Sequence, residues 1–227
     1  MSKENLRLPD SIGCLDSGSM LATLVSTIGN HCEVWRTTRV VMHEGRDSEL
    51  VDLVIKCHRL PCDLAEIRIL ARDYRELRRC LDSMVPETLY VATTIDGAHN
   101  VIAIAEAVQP WFNLANPAIA EDGILLLRRL HRARAQLQRF VKAARHWYAA
   151  GKLIDLYGLD NLVLDMHLEV RYIDSFNVFF YTDMLERCGE PDPWLAEKME
   201  ISLRRLEYLE YALAESVKVR VGGYPPA

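Results

Sequence analysis

Between residues 151 and 176 the chain reads GKLIDLYGLDNLVLDMHLEVRYIDSF, and there Asp155, Asn161 and Asp174 are set around two short apolar runs. Two carboxylates and a carboxamide brought to one end of a hairpin suit a hard divalent cation, which takes oxygen ligands and keeps several waters. The remaining carboxylate of such a site can accept a proton from a hydroxyl. Asp160, adjacent to Asn161, is an alternative acid in the same stretch.

Placing these groups together requires particular elements. Leu162, Val163 and Leu164 read as one strand and Val170 to Ile173 as its hairpin partner, so that Asp174 falls where the second strand ends. Asp155 and Asn161 then lie in a turn-like segment with Gly158. Upstream, Val34, Val40 and Val41 mark β-prone segments, and Leu50 to Cys57 is a better strand. Pro61 and Cys62 break it, with Asp63 as a plausible N-cap for the helix LAEIRILARDYRELRRCL. Its Ile67, Leu70, Tyr74, Leu77 and Leu81 recur at helical spacing. Thr88 to Ile95 and Val101 to Ala107 form a predicted hairpin around Asp96 and Gly97.

The segment QPWFNLANPAIAEDG, with Pro110 and Pro117, reads as a linker between a strand-rich first half and a helical second half. A single long helix is expected from Asp122 to Ala150, with Leu126, Leu130, Ala133, Leu137, Val141, Ala144 and Tyr148 on its apolar face and Gly151 as its stop. Pro191 and Pro193 introduce a last helix whose Leu195, Met199, Leu206, Leu209, Leu213 and Val217 can face inward. Residues 1–20 are expected to be an irregular lead-in, and the tail GGYPPA to be frayed.

The 227 residues are half hydrophobic and 26% charged, the composition of an ordinary globular protein rather than a disordered one. A net charge of -5 argues against a nucleic-acid partner. No stretch approaches the roughly 20 apolar residues of a spanning helix. The start MSKENLRLPD lacks the features of a secretory signal, so the expectation is a cytoplasmic protein with no membrane partner. Six cysteines without a CxxC pair point to reduced, mostly buried thiols, and KCHRLPC lacks the second ligand pair that zinc would need. The basic run RRLHRARAQLQR interleaves with an apolar stripe and reads as a solvated helix face. Trp35, Trp111, Trp147 and Trp194 are assigned to packing, while His131, His146 and His167 have no acidic or cysteine partners at ligand spacing.

This order of elements, with Lys56 on a strand, Glu76 on a helix, a hairpin, a linker, a long helix and then Asp155, Asn161 and Asp174, resembles the protein-kinase-like fold over residues 25–180. The resemblance implies an α+β, two-lobed architecture: a strand-rich N-lobe over residues 21–110 and a reduced, mainly helical C-lobe over 111–227. Lys56 is similar to the strand lysine that contacts nucleotide phosphates, and Glu76 to the helix glutamate that holds it. Ile104 to Trp111 corresponds to the hinge beside adenine. Asp155 is similar to the catalytic-loop base, and Asn161 and Asp174 to the two magnesium ligands, 13 positions apart.

The pattern also departs from the family. Leu153 and Ile154 stand where HRD has its His and Arg, one additional residue precedes Asn161, and DFG becomes Asp174, Ser175 and Phe176. The glycine-rich loop is reduced to Gly29, followed by Val34 at the position of the valine that covers the nucleotide. No APE motif follows Asp174. The implied activity is phosphoryl transfer from ATP with Mg2+ to a small-molecule or protein hydroxyl. The alternative is a catalytically inactive pseudokinase module that engages a protein partner, and an α+β domain unrelated to kinases is a third reading.

Overall fold

The computed structural model describes residues 22–26, 32–41, 49–95, 97–183 and 192–218. The chain divides into two compact units, Met1–Leu64 with Thr88–Ala107, and Ala65–Glu87 with Val108–Ala227. The expected lead-in over residues 1–20, the tail GGYPPA, Gly29, Asp96, Pro191, Cys14 and Cys188 lie outside the described residues. The architecture is mixed α and β with antiparallel sheets.

The first unit is one five-stranded antiparallel sheet in the order β1-β2-β3-β5-β4. Its strands are β1 (Thr23–Ser26), β2 (Cys32–Val41), β3 (Glu49–His58), β4 (Thr88–Ile95) and β5 (Ala98–Glu106). Val, Ile and Thr dominate them, as suits a pleated, half-buried surface. The β4–β5 hairpin turns at Gly97, whose φ of 83° lies in the left-handed region that favours glycine. Leu53, Val101, Ala103 and Ala105 form buried positions of this unit. Cys32 and Cys62 are buried thiols here, and Cys57 is half-buried.

The second unit contains four α-helices among the described residues. They are α1 (Leu64–Leu81), α2 (Ala120–Arg129), α3 (His131–Ala149) and α4 (Pro193–Val217). Ile67, Leu70, Tyr74, Leu77 and Leu81 of α1 are all buried, as their spacing predicts. From Ala65 onward α1 groups with this unit rather than with the sheet of the strand-rich first half, where the sequence places it. Its polar side chains and carbonyls and the turn that follows it explain the grouping: Glu76 receives Lys152, Asp73 receives Tyr181, Arg139 donates to the Cys80 carbonyl and, in the turn at Asp82–Met84, Arg171 donates to the Ser83 carbonyl.

The single helix expected over 122–150 is two helices. Leu130 leaves the helical region at φ −96°, ψ 79°. An unbroken helix with Leu127 inward would also turn His131 and Arg134 inward, since positions i, i+4 and i+7 share a face. The break rephases the stripe, so that Leu127 is buried on α2 while Ala133, Leu137, Phe140, Val141, Ala144 and Trp147 are buried on α3. Trp147 takes the inward place expected of Tyr148, and its ring lies 5.0 Å from that of Phe179. On α4, Met199, Leu206 and Leu209 face inward as expected, but Val217 is exposed and Ser216 is buried instead. Trp111 and Trp194 are also largely exposed, although the Trp194 ring lies 3.4 Å from Lys198 Nζ.

Short strands complete the unit. β6 (Pro110–Asn113), β8 (Leu162–Asp165) and β9 (Val170–Tyr172) form a three-stranded sheet in the order β6-β8-β9, and β7 (Lys152–Ile154) pairs with β10 (Phe179–Tyr181). The segment expected to be a bare linker therefore supplies an edge strand, where Pro110 is tolerated because it owes no ladder hydrogen bond on its open side. No helix among the described residues is long and apolar enough to cross a membrane.

Candidate functional site

Three chain reversals bring Asp155, Asn161 and Asp174 together within the second unit. Gly151, at φ 83°, ends α3 and sends the chain into β7. The β7–β10 ladder continues past Ile154, because the Asp155 N–H donates to the Val178 carbonyl at 2.9 Å. The loop that follows ends in a helical turn at Leu159–Asn161 and enters β8. The β8–β9 pairing sets Leu162 opposite Tyr172, and the Ile173 N–H donates to the Asn161 carbonyl at 3.0 Å. Asp174 therefore leaves the hairpin beside Asn161.

The Asn161 side chain joins the other two. Its Nδ2 donates to the Asp155 carbonyl at 3.2 Å and, through a longer contact of 3.5 Å, to Asp174 Oδ2. The Asp155 carbonyl also accepts the Tyr172 hydroxyl at 3.0 Å, and Asp155 Oδ1 accepts the Tyr157 N–H at 2.7 Å. Asp174 Oδ1 accepts the Ser175 N–H at 2.7 Å. These contacts fix both carboxylates through local backbone, the usual work of Asp in turns. Asp160, the alternative acid, is exposed and accepts from Asn113 at 2.8 Å.

Electrostatics single out Asp155. It is only 6% exposed. Burial pushes its carboxyl up to about 7 and the charge of Asp174 adds to the rise, while the Tyr157 N–H, Lys198 and Arg205 oppose it. A carboxyl titrating near neutrality beside a second carboxylate has the arrangement of an acid–base site. Lys198 and Arg205 come from α4. Burial lowers the pKa of both, against the attraction of Asp155 for each and of Asp174 for Lys198.

No protein-family model and no curated protein matches this chain.

The remaining residues singled out in the sequence fall as follows. Lys56 and Val34 are cross-strand partners of β3 and β2 in the first unit. Glu76 belongs to the second unit, where its carboxylate is 2.6 Å from Lys152 Nζ. Gly29 is outside the described residues. The segment Ile104 to Trp111, expected as a hinge, covers the end of β5, the passage from one unit to the next at Ala107 and Val108, and the start of β6.

Sequence reasoning expected the last helix but missed that it braces the loop. On α4, Lys198, Ser202 and Arg205 are spaced i, i+4 and i+7, so they share one face. Ser202 Oγ accepts the Leu156 N–H at 3.1 Å, and Arg205 Nη1 donates to the Leu156 carbonyl at 2.6 Å and to that of Tyr157. The signal that could have found it is a polar i, i+4, i+7 set inside an otherwise apolar stripe.

Gly158 shows how tightly Asn161 is held. A Cβ at this position would lie 2.4 Å from Asn161 Oδ1 and 2.9 Å from its Cγ, although the backbone φ of −68° is open to any residue. Alanine at 158 is therefore expected to turn the Asn161 amide out of its contacts with Asp155 and Asp174 while leaving the fold in place. The thermal midpoint should fall by the equivalent of about 1–2 kcal/mol. Any ligand response that depends on Asn161 should disappear, and melting curves of G158A with and without ligand check both outcomes.

Proposed function

We propose that this chain is an atypical, kinase-like phosphotransferase that uses ATP and Mg2+ to phosphorylate a hydroxyl acceptor, acting in the cytoplasm. The observation that carries the reading is the joining of Asp155, Asn161 and Asp174 through one carboxamide, next to a carboxyl that titrates near neutrality. The donor chemistry fits the ion: the Asn161 amide and the Asp174 carboxylate are hard oxygen donors, and magnesium characteristically takes one or two carboxylates and completes its shell with water and substrate phosphates. Bound there, the ion would neutralise charge on the phosphates. Asp155 would orient the acceptor hydroxyl and take its proton.

A second reading, a catalytically silent kinase-like module that engages a protein partner, is favoured by the burial of Asp155. A base must meet the proton it accepts, and this carboxylate is held inward by the Tyr157 N–H. Thermal-shift titration separates the two. Mg2+-dependent stabilisation by ATP is expected, near 2.7 kcal/mol at a hundred times the dissociation constant, and it should be lost in D174N. A wild-type melting point indifferent to ATP with and without Mg2+ would remove the phosphotransferase reading.

A further inference from the structure

The outward face of α1 carries charge of one sign. Arg68, Arg72, Arg75 and Arg79 stand at i, i+4, i+7 and i+11 of this helix, and all four are exposed. At 3.6 residues per turn they fall within an arc of about 60°, opposite the buried Ile67, Leu70, Tyr74 and Leu77, and extend for about 16 Å along the axis. Two acids of the helix are engaged away from the stripe or at one member of it: Glu76 receives Lys152, and Asp73 receives the Tyr181 hydroxyl and Arg72. Arg75 Nε donates back to the Ala71 carbonyl of its own helix. Among the described residues, the guanidinium groups of Arg68 and Arg79 have no hydrogen bond or ion pair.

Like charges at i, i+3 and i+4 weaken a helix, and a face that only keeps a protein in water mixes its signs. The whole chain has a net charge of -5, so this stripe is a local inversion of its field. A guanidinium is planar and binds a carboxylate through two parallel N–H bonds. Guanidiniums recurring about once per turn match carboxylates that recur once per turn on a second helix. Ile69, three positions before Arg72 and 45% exposed, stands beside the stripe and offers the apolar residue that the centre of such a contact uses. We propose that this face of α1 is a docking surface for an acidic α-helix of a partner protein, with Glu or Asp at i, i+4, i+7 and i+11. A long polynucleotide or an anionic bilayer would meet the net negative field of the whole chain. A short helix lies within about 8 Å of the stripe, one Debye length, and is governed by it. Docking here does not depend on phosphoryl transfer at Asp155.

The test is fluorescence anisotropy with the whole chain titrated into a labelled, alanine-rich helical peptide that has glutamate at i, i+4, i+7 and i+11. A peptide of the same composition with its glutamates spread around the helix is the control. Wild type is expected to bind the striped peptide about fivefold or more tightly than the control, and to release it as sodium chloride rises from about 0.05 to 0.5 M. R68E/R75E/R79E, which leaves Arg72 on Asp73, should lose about tenfold or more for the striped peptide and gain affinity for a peptide with lysine in place of each glutamate. R68Q/R75Q/R79Q should lose the striped peptide too, yet melt no lower than wild type, because it relieves like-charge repulsion; it serves if the charge reversal does not fold. No binding of the striped peptide at low salt, equal affinity for both peptides, or unchanged affinity in R68Q/R75Q/R79Q each overturn the proposal. A melting point of that variant well below wild type assigns the arginines to the fold and also overturns it, as does tighter binding of a single-stranded RNA oligonucleotide or of phosphatidylserine vesicles than of the striped peptide. Both variants should keep the wild-type response to ATP and Mg2+, so this surface and the phosphotransferase reading fail separately.

Discussion

Asparagine in place of Asp155 is expected to make the protein more stable above pH 7, and to silence it. The native carboxyl is 6% exposed and titrates at about 7 instead of 3.8, first because of burial and second because Asp174 faces it. At this group the folded state therefore binds more protons than the unfolded chain between about pH 4 and 7, and the contribution of Asp155 to stability must fall as pH rises across that window and level off above it. The asparagine side chain of D155N has no proton to lose. It keeps an Oδ1 acceptor for the Tyr157 N–H, so the loop contact survives. Every pH unit by which the folded and unfolded titrations differ corresponds to about 1.4 kcal/mol, so the rise from 3.8 to about 7 puts the gain above pH 7 on the order of 4 kcal/mol. For a domain of this size that is about 8–16 °C in melting temperature.

Near pH 4 the two proteins should melt together. Melts of metal-free wild type and D155N from pH 4.5 to 8.5 provide the check, and parallel curves would contradict the argument. On the proposed function the same substitution removes the base, and phosphoryl transfer should fall by about 10² to 10⁴. A change that strengthens the fold and abolishes turnover is the mark of a group retained for chemistry rather than for stability.

How much of this was legible in the sequence depends on whether an element announces itself locally. Three strands of the first unit's sheet did, because Val, Ile and Thr recur over β3, β4 and β5 and Gly97 marks the turn, whereas the short β1 did not. The face of α1 did, because five apolar residues keep helical spacing. The break at Leu130 did not: Leu126, Leu127 and Leu130 allow either phase, and the choice is made by which phase would bury His131 and Arg134. β7 and β10 were also hidden, since strands of three residues carry too little pattern to separate from loop, and only their pairing across residues 152–154 and 179–181 defines them. Within the candidate site, the meeting of Asn161 and Asp174 follows from a hairpin that the apolar runs predict. The bracing of the Asp155 loop by Ser202 and Arg205 depends on α4, far along the chain, and the only trace of it in the sequence is the polar i, i+4, i+7 set within that helix's apolar stripe.

Asp165 shows the same limit from the opposite side. It lies ten positions after Asp155, is equally buried at 4% exposed, and has no place in the sequence argument. Its environment nevertheless inverts the effect of burial. Burial alone would raise its pKa, but the Glu169 N–H at 2.9 Å, Arg171 Nε at 2.9 Å and the His167 N–H at 2.9 Å together hold it below the usual carboxylate range. These bonds close the β8–β9 turn, in which Leu168 stands at φ 61°, a conformation uncommon for a residue with a side chain. Without glycine or asparagine at that corner, the carboxylate is what holds the turn shut.

D165N places an amide donor against either Arg171 Nε or the two backbone N–H groups, and is expected to cost about 2–4 kcal/mol, as removal of one member of a buried pair does. The pH signature is opposite to that of Asp155: the stability due to Asp165 is present above about pH 4 and is lost as pH falls through the lowered folded-state value. D165N and wild type should therefore differ most at neutral pH and converge in acid. Because the far end of this hairpin carries Asn161 and Asp174, the Mg2+-dependent response to ATP should weaken in the same variant. A D165N protein that melts with the wild type at pH 7 would show that the turn is held by something other than this carboxylate.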